Sequence, residues 1–259
     1  MIMKEQIKNQ ELKESSRKFY CKKPIYARLD GRAFKSFTKS FERPFDINFR
    51  QLMLDVTKSL VDETGAVLGY TQSDEISLLW YADEQVNNKV FFNGRIQKMV
   101  SNLSSIATAY FLMGAIKLWP ELCLKRPPTF DCRVIEANDI DNAIDMFRLR
   151  EIDGIKNSIF TFARFYFSNK ELKGKKQKDQ LKMLNDIGQD WNSLINLFKY
   201  GKYVIKEKET KQISKDILEK IPDNHKPKNN MIERSIIVEK DFYFVSDSHI
   251  KNNIKKQME

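Results

Sequence analysis

Cysteine and histidine are scarce: the chain of 259 residues holds three Cys and two His. Cys21, Cys123 and Cys132 include no CxxC pair, and their odd number argues against a disulfide scaffold. The two histidines, His225 and His249, are far from every cysteine in the sequence, which argues against a zinc site. This composition is typical of a reducing cytosol, and we expect a cytoplasmic location.

Long apolar segments are also missing. Residues 1–16 are charged and contain no apolar run of the kind found in a secretory signal. The uncharged run Val100–Ile116 is short for a membrane span and polar in its first half, so it predicts a buried helix. We therefore expect a soluble protein with no membrane partner.

Positive charge is in excess. Lys and Arg number 45 against 35 Asp and Glu, a formal net charge of +10, and 41% of the residues are hydrophobic, enough for a core. The excess favours a polyanionic partner such as a nucleic acid. A general preference for Lys on solvated surfaces would give the same balance, so charge alone leaves both explanations open.

The sequence up to residue 136 predicts alternating strands and helices. Residues 24–30 alternate apolar and polar side chains, as a strand does, and helical spacing runs from an N-cap at Asp46 to a C-cap at Gly65. The further predicted elements are hairpin strands 66–70 and 76–81, helix 88–117 and strand 129–136. This βαββαβ order is typical of an α+β, ferredoxin-like fold of the polymerase and cyclase palm type, with its helices on one face of an antiparallel sheet.

The rest of the chain predicts a C-terminal extension. The predicted elements are helices 139–147, 150–168 and 189–198, an exposed Lys-rich segment 169–182, strand 199–207, a mobile polar loop 208–231 and a strand pair within 232–246. We therefore divide the chain into a catalytic palm domain, residues 1–168, and a helical and β-hairpin extension, residues 169–259.

Two acidic clusters lie where this topology brings strand ends together. Asp30-Gly31 ends the first strand, and Ser73-Asp74-Glu75 forms the hairpin tip. The end of the first strand should meet the start of the second hairpin strand, so we expect Asp30 and Asp74 to converge. Paired carboxylates can hold Mg²⁺, and two such ions about 3.5–4 Å apart serve phosphoryl chemistry. Gly31 lacks a Cβ and lets phosphates approach the backbone, although each cluster alone is also explained as a turn.

Basic residues lie on or beside the same predicted elements. Arg95 and Lys98 are three positions apart and so share one face of the long helix. In a Lys-rich chain a solvated face is an equal explanation of such a pair. The candidates for phosphate binding are Arg28, Arg32, Lys35, Arg43, Arg95, Lys98 and Arg133.

Two longer motifs carry a family resemblance. The runs Arg28-Leu29-Asp30-Gly31-Arg32-Ala33-Phe34 and Gly69-Tyr70-Thr71-Gln72-Ser73-Asp74-Glu75 resemble motifs of the tRNA(His) guanylyltransferase family in order and spacing. Phe130-Asp131-Cys132-Arg133 is similar to the family's Phe-Asp-Gly-Arg, with Cys132 in place of Gly, and Arg150 with Asp153 also match. The resemblance extends over residues 20–206.

The resemblance implies a two-Mg²⁺ palm enzyme that adds nucleotides to the 5′ end of tRNA in the 3′-to-5′ direction, after ATP-dependent activation of the 5′-monophosphate, with GTP preferred or templated. It makes Asp30, the Gly31 carbonyl and Asp74 the metal ligands, and Glu75 the adjoining catalytic acid. By matching positions, Arg28, Arg32, Ala33, Phe34, Arg43, Ser73, Arg95 and Lys98 would bind nucleotide. RNA or phosphate contacts are expected from Arg133, Arg150, Asp153, Asn157, Lys199 and Lys202.

One segment departs from the eukaryotic members of the family. Where they have His-Ile-Asn-Asn-Leu-Tyr-Asn, this chain has Gly154-Ile155-Lys156-Asn157-Ser158-Ile159-Phe160, which looks like the bacterial, archaeal and phage guanylyltransferase-like branch. The resemblance therefore implies repair of 5′-truncated tRNAs rather than strict tRNA(His) specificity. It also implies a homotetramer with tRNA, GTP and ATP as its partners.

Two other functions remain open from the residues. Another palm enzyme, such as a nucleotidyl cyclase or a forward polymerase, would use the same metals. A non-catalytic RNA-binding protein could keep the palm and the positive charge. Loss of Asp30 or Asp74 would have favoured that last function, and both residues are present.

Overall fold

The computed structural model describes residues 2–19, 22–81, 90–222, 225, 227–241 and 243–244. Its strands are β1 (Ile25–Gly31), β2 (Leu68–Gln72), β3 (Glu75–Trp80), β4 (Phe130–Glu136), β5 (Lys202–Gln212) and β6 (Met231–Lys240). Its helices are α1 (Ile2–Ser15), α2 (Phe34–Phe37), α3 (Ile47–Thr64), α4 (Ile96–Leu118), α5 (Pro120–Lys125), α6 (Ile140–Tyr166), α7 (Asn169–Leu172), α8 (Gln177–Asp186), α9 (Asn196–Lys199) and α10 (Lys215–Leu218). The predicted start of the long helix at residue 88, Cys21, His249 and residues 245–246 lie outside the described residues.

The strands form one antiparallel sheet in the order β4-β1-β3-β2-β5-β6. The part β4-β1-β3-β2 has the strand order of the ferredoxin-like fold, which confirms the predicted α+β palm. β5 and β6 continue the same sheet beyond β2. The division at residue 168 stays a prediction, and the sheet includes strands from both sides of it.

Both faces of the sheet are covered. Ile25, Ala27 and Leu29 of β1 belong to a core that includes side chains of α3 and α4. Tyr26 points to the other face, where its ring lies 5.3 Å from that of Phe147 in α6, in an edge-to-face contact. The two helices of the βαββαβ order, α3 and α4, lie on one face of the sheet as predicted. The later helix α6 covers the other face, where the Tyr26 ring is buried although Tyr26 takes a polar position in the period-two pattern.

One continuous helix, α6, replaces two predicted ones. Asp139 caps it, accepting a hydrogen bond from the Asn142 amide at 2.7 Å. The predicted break at 147–150 contains neither Gly nor Pro, so nothing there interrupts the backbone hydrogen bonds. The single helix matters for the site because it carries Arg150 and Asn157 along one rigid element.

The C-terminal elements also differ from the prediction. The strand predicted at 199–207 begins after Gly201, whose φ is +76°, and extends to Gln212 because β6 pairs along its whole length. In their described part, residues 208–231 contain the end of β5, the short helix α10 and turns. The mobility expected of this segment stays a prediction. In place of helix 189–198, a 3₁₀ turn at Trp191–Ser193 precedes α9.

Among the described residues, α4 is the helix that is long and apolar enough to cross a membrane by length and composition. It packs against α3 and β4 through one face, as expected of a helix that contributes to a core. The residues buried on that face are Met99, Leu103, Ala107, Phe111 and Ala115. Met113 and Ile116 point outward and are 62% and 45% exposed.

Candidate active site

Asp30 and Asp74 meet where β1 ends and the hairpin turns. Asp30 lies opposite Glu75 in the β1–β3 register, and the Gly31 amide donates a hydrogen bond to the Asp74 carbonyl oxygen at 3.0 Å. Burial raises the pKa of the Asp30 carboxyl, and the neighbouring charges of Asp74 and then Asp131 raise it further. The predicted convergence of the two acids is thereby confirmed.

These two carboxylates fit a Mg²⁺ site. Within the described residues neither of them forms an ion pair with a basic side chain. The negative charge of Asp74 makes ionisation of Asp30 less favourable, and a bound cation would reduce this repulsion. The described residues contain no cluster of three or more His, Cys, Asp or Glu at metal-binding distance. Two acids suffice for Mg²⁺ because it takes one or two carboxylates and completes its shell with water and substrate phosphate.

Glu75 has a different environment from Asp74. Its carboxylate lies 3.9 Å from Arg28 and 3.5 Å from Arg150, which in turn lies 2.8 Å from Asp153. Burial raises the pKa of the Glu75 carboxyl, and Arg150 and then Arg28 oppose that rise. Arg28, Arg150 and Asp153 thus form one ion-pair network around Glu75, beside Asp30 and Asp74.

A cavity of about 370 Å³ opens on the acidic pair. Its remaining walls come from the hairpin, α3 and α6, so its charge is mixed rather than purely negative. Such a cavity suits a polyphosphate with bound cations, since the basic wall can contact phosphate oxygens. The charged lining residues are Asp30, Asp74, Glu75, Arg50, Arg150, Asp153 and Lys156, and Asn157 lies among them.

A second cavity, of about 410 Å³, adjoins the first. The two share Arg50, Ser73, Asp74, Asn157 and Thr161. Arg43 and Lys35 line the second one, and the Arg43 guanidinium donates to the carbonyls of Thr38 and Lys39 at 3.1 and 3.2 Å. The Ser73–Asp74 turn therefore borders both cavities.

The loop after β1 is tightly built. A Cβ on Gly31 would lie 2.4 Å from the Phe34 ring, so a side chain there would have to displace that ring. Phe34 is 2% exposed and belongs to the aromatic core, although it also borders the second cavity. Ala33 has a left-handed backbone with φ +58°, and the exposed Arg32 donates its amide to Thr129 at 2.9 Å. Arg32 and Ala33 are exposed and Gly31 is buried, and none of the three borders the two cavities that the described residues define at Asp74.

Arg95 and Lys98 lie at the start of α4 and border neither of the two cavities that the described residues define at Asp74. Arg95 donates to the Phe92 carbonyl at 3.3 Å, and the Lys98 ammonium lies 5.8 Å from the centre of the Phe92 ring. Arg133 is on the exposed edge strand β4, 3.6 Å from Asp131. The structure does not bring Arg95 and Lys98 together with the acidic pair, whereas Arg133 is near enough to Asp30 for its charge to oppose the rise in the pKa of that carboxyl.

Lys199 and Lys202 are committed to contacts within the protein. Lys199 is buried and donates to the Asn192 carbonyl at 2.7 Å. Lys202 lies 2.7 Å from Asp241. Neither borders the cavities at Asp74 among the described residues, so the geometry gives no support to the phosphate contacts expected from them.

Sequence reasoning missed Arg50 and the role of Gln72. Arg50 is 9% exposed, lines both cavities and donates to Gln72 at 3.0 Å. Burial lowers the pKa of Arg50 to about 10, against the attraction of Asp74, so it stays charged at neutral pH. A signal for Arg50 was present: it lies three residues before Met53 on the apolar face of a predicted helix, where an unpartnered charge is costly.

Comparisons with known proteins agree with this geometry. The family model described as tRNAHis guanylyltransferase matches residues 4–138. The tRNA(His) guanylyltransferase of Debaryomyces hansenii is 27% identical over 200 residues, which are 71% of this chain and 73% of that protein. An uncharacterised protein of Acanthamoeba polyphaga mimivirus is 26% identical over 202 residues, 70% of this chain and 69% of its own length.

Solved structures give the same result. A bacterial tRNA(His) guanylyltransferase-like protein in complex with ATP is 31% identical, with a TM-score of 0.73 over 79% of this chain and 87% of its own. The Saccharomyces cerevisiae enzyme is 25% identical, with a TM-score of 0.64 over 71% and 86% of the two chains. The match to the bacterial protein confirms the resemblance to the guanylyltransferase-like branch, and it decides against an unrelated palm cyclase, a forward polymerase or a non-catalytic palm.

The fold, the acidic pair and these similarities agree with one another. Members of this family are metal-dependent nucleotidyltransferases that act on tRNA, and this chain retains the residue types that such chemistry needs at the end of β1 and at the hairpin turn. The chain belongs to the tRNA(His) guanylyltransferase family and is a guanylyltransferase-like nucleotidyltransferase.

Proposed function

We propose that this nucleotidyltransferase adds nucleotides to the 5′ end of tRNA in the 3′-to-5′ direction, and that it repairs tRNAs that have lost 5′ nucleotides. The supporting observation is that Asp30 and Asp74 adjoin each other where two cavities meet, and that neither forms an ion pair with a described residue. Two adjoining cavities leave room for two nucleotides, or for one nucleotide and a tRNA end.

Asp30, the Gly31 carbonyl and Asp74 are the residues that would hold two Mg²⁺ ions. The bound ions would supply activation of the attacking hydroxyl and neutralisation of the leaving phosphate. In the transfer, a bond forms between the 3′-oxygen of the incoming nucleotide and the 5′ phosphorus of the tRNA. The bond from that phosphorus to the activating AMP, or to pyrophosphate where the tRNA carries a triphosphate, breaks.

The protein's own part in this reaction is to position the two substrates. Ser73 borders both cavities and Phe34 borders the second, which supports their contact with a triphosphate that approaches the acids. Contacts of Arg32 and Ala33 with the nucleotide stay predictions. Arg43 and Lys35 line the second cavity and would bind the phosphates of the activating nucleotide. Arg150 and Arg28 would hold Glu75 in place, and Asn157 would contact the nucleotide from α6. Contacts of Arg95, Lys98 and Arg133 with phosphate stay predictions.

The test is an assay with a 5′-truncated tRNA, ATP and labelled GTP. The wild-type chain should lengthen the RNA at its 5′ end, and Asp74→Asn should abolish the addition. Asp55→Asn, which changes an exposed acid on α3, should retain it and serves as the matched control. A cyclic nucleotide as product, or an RNA lengthened at its 3′ end, would contradict the proposal.

Substrate choice has its own test. A panel of truncated and intact tRNAs, with the 5′ ends of the products sequenced, separates templated repair of many tRNAs from a single addition to tRNA(His). Repair predicts that the added nucleotides complement the 3′ strand of the acceptor stem in several tRNAs. One G added to intact tRNA(His) alone would overturn the repair function.

We further propose a homotetramer in the cytosol. The outward face of α4 carries no charge between Lys98 and Lys117 and exposes Met113 and Ile116. An uncharged exposed helix face of this kind supports packing against another copy of the chain, because that contact would remove its apolar side chains from water.

A further inference from the structure

Gln72 links several segments of the chain around the Ser73–Asp74 turn. Its side-chain oxygen accepts hydrogen bonds from the Arg50 guanidinium at 3.0 Å and from the Ser73 amide at 2.8 Å. Its side-chain nitrogen donates to the carbonyls of Phe198 and Lys199, both at 3.2 Å. One buried carboxamide therefore joins α3, the hairpin and the end of α9.

The Ser73 backbone needs such support. Its φ is +58°, in the left-handed region that side chains other than glycine rarely adopt. A residue held in this region persists only where the surrounding structure fixes it. The hydrogen bond from the Ser73 amide to Gln72 fixes it directly, and Asp74 follows in the same turn.

Arg50 holds Gln72 from the other side. Its guanidinium lies between the rings of Phe45 and Phe49, at 5.8 and 5.9 Å from their centres. Because Arg50 is almost fully buried, its head group is confined to a narrow range of positions. The packing of α6 confines Gln72 too, since a Cβ on Gly154 would lie 2.7 Å from its Cγ.

We propose that Arg50 and Gln72 together form a bracket that holds the Ser73–Asp74 turn in the geometry which binds the metal. Both are positioning residues that act through Asp74. The inference rests on the proposed function for the identity of the bound group. It adds that the affinity of the site depends on a buried guanidinium in α3 and on the segment that precedes β5.

The experiment measures Mn²⁺ binding in the presence of GTP, without tRNA, by electron paramagnetic resonance on the full chain. Gln72→Met and Arg50→Met should each weaken Mn²⁺ binding about 10–100-fold, the usual effect of losing a residue that orients a metal ligand. The double variant should lose no more Mn²⁺ affinity than the single variant with the larger loss, because both residues act through one contact.

Tyr70→Phe is the matched control. The Tyr70 hydroxyl donates to the Tyr200 carbonyl at 2.7 Å, so it anchors the same C-terminal segment from the same strand without touching the turn. This variant should lower the melting temperature and leave Mn²⁺ affinity unchanged. Gly154→Ala is a second variant that keeps both polar groups and displaces the carboxamide, and it should also weaken Mn²⁺ binding.

Two results would overturn the bracket. One is a folded Gln72→Met or Gly154→Ala chain with the Mn²⁺ affinity of the wild type. The other is a double variant whose loss equals the product of the single losses, since that would mean independent effects. If the wild type binds Mn²⁺ with GTP but adds nothing to tRNA, the proposed function fails instead. If it adds nucleotides while the variants bind Mn²⁺ normally, the bracket alone fails.

Discussion

The guanidinium of Arg150 lies 3.5 Å from the carboxylate of Glu75 and joins α6 to the hairpin that carries Asp74. Arg28 approaches the same carboxylate at 3.9 Å. Two adjacent acids in one motif therefore differ in their partners: Glu75 is neutralised by arginines, whereas Asp74 forms no ion pair within the described residues. A carboxylate already paired with two arginines is a poor metal ligand and a good support for the cleft wall.

The first prediction separates the two acids. Asp74→Asn should abolish nucleotide addition, because one of two metal-binding carboxylates is lost. Glu75→Gln should lower it about 10–100-fold and leave Mn²⁺ affinity within a few-fold of the wild type, as expected of a residue that orients its neighbours. Single-turnover assays and Mn²⁺ titrations measure the two effects.

Binding of tRNA is the control for this pair. It depends mainly on phosphate contacts and is sensitive to salt, so both variants should retain it. Equal loss of Mn²⁺ binding in Glu75→Gln and Asp74→Asn would contradict the distinction and make Glu75 a ligand.

The second prediction concerns the end of β1. Gly31→Ala places a Cβ 2.4 Å from the Phe34 ring, which is fixed in the aromatic core. Overpacking of this kind should lower the free energy of unfolding by about 1–3 kcal/mol and displace the loop that follows Asp30. Urea unfolding and the addition assay measure both consequences.

Gly174 provides the matched substitution, because it lies in the left-handed region with open space around it. Gly174→Asn should be close to neutral, since asparagine tolerates that conformation. A Gly31→Ala chain as stable and as active as the wild type would show that the Phe34 ring moves freely.

The sequence predicted those parts of the fold that local patterns determine. Period-two alternation marked β1, predicted at 24–30 and found at Ile25–Gly31, and the N-cap Asp46 marked the start of α3. The convergence of Asp30 with Asp74 followed from strand order, which the βαββαβ succession fixes without any knowledge of side-chain contacts.

What could not be predicted depends on partners far away in the sequence. In the sequence, Gln72 looks like any polar residue beside a turn. Its role depends on the carbonyls of Phe198 and Lys199, which only the fold brings beside it. Lys199 and Lys202 were expected to contact RNA or phosphate, yet the fold gives them the Asn192 carbonyl and Asp241 as partners. No local pattern carries information on contacts of this range.

The third prediction tests assembly through α4. Met113→Glu should dissociate the proposed homotetramer, because a buried unpaired charge at an interface costs more than the apolar contact supplies. Sedimentation velocity measures the species present. Gln97→Glu adds the same charge at an exposed position on the same helix and should leave assembly intact. A wild-type chain that sediments as a monomer at all concentrations would overturn the assembly.

The fourth prediction concerns Phe244, which closes the second core. Its ring is 1% exposed and lies 5.5 Å from that of Tyr203, and its amide donates to the buried Glu151 carboxylate at 2.9 Å. Phe244→Ala should lower the free energy of unfolding by about 3–5 kcal/mol, since it leaves a cavity against α6. Because α6 carries Arg150 into the cleft, nucleotide addition should also slow.

Met231→Ala is the control. It changes a 40% exposed position on β6 and should change the free energy of unfolding by less than about 0.5 kcal/mol. Chemical denaturation measures the stability of both variants, and equal stabilities would show that Phe244 does not contribute to the core.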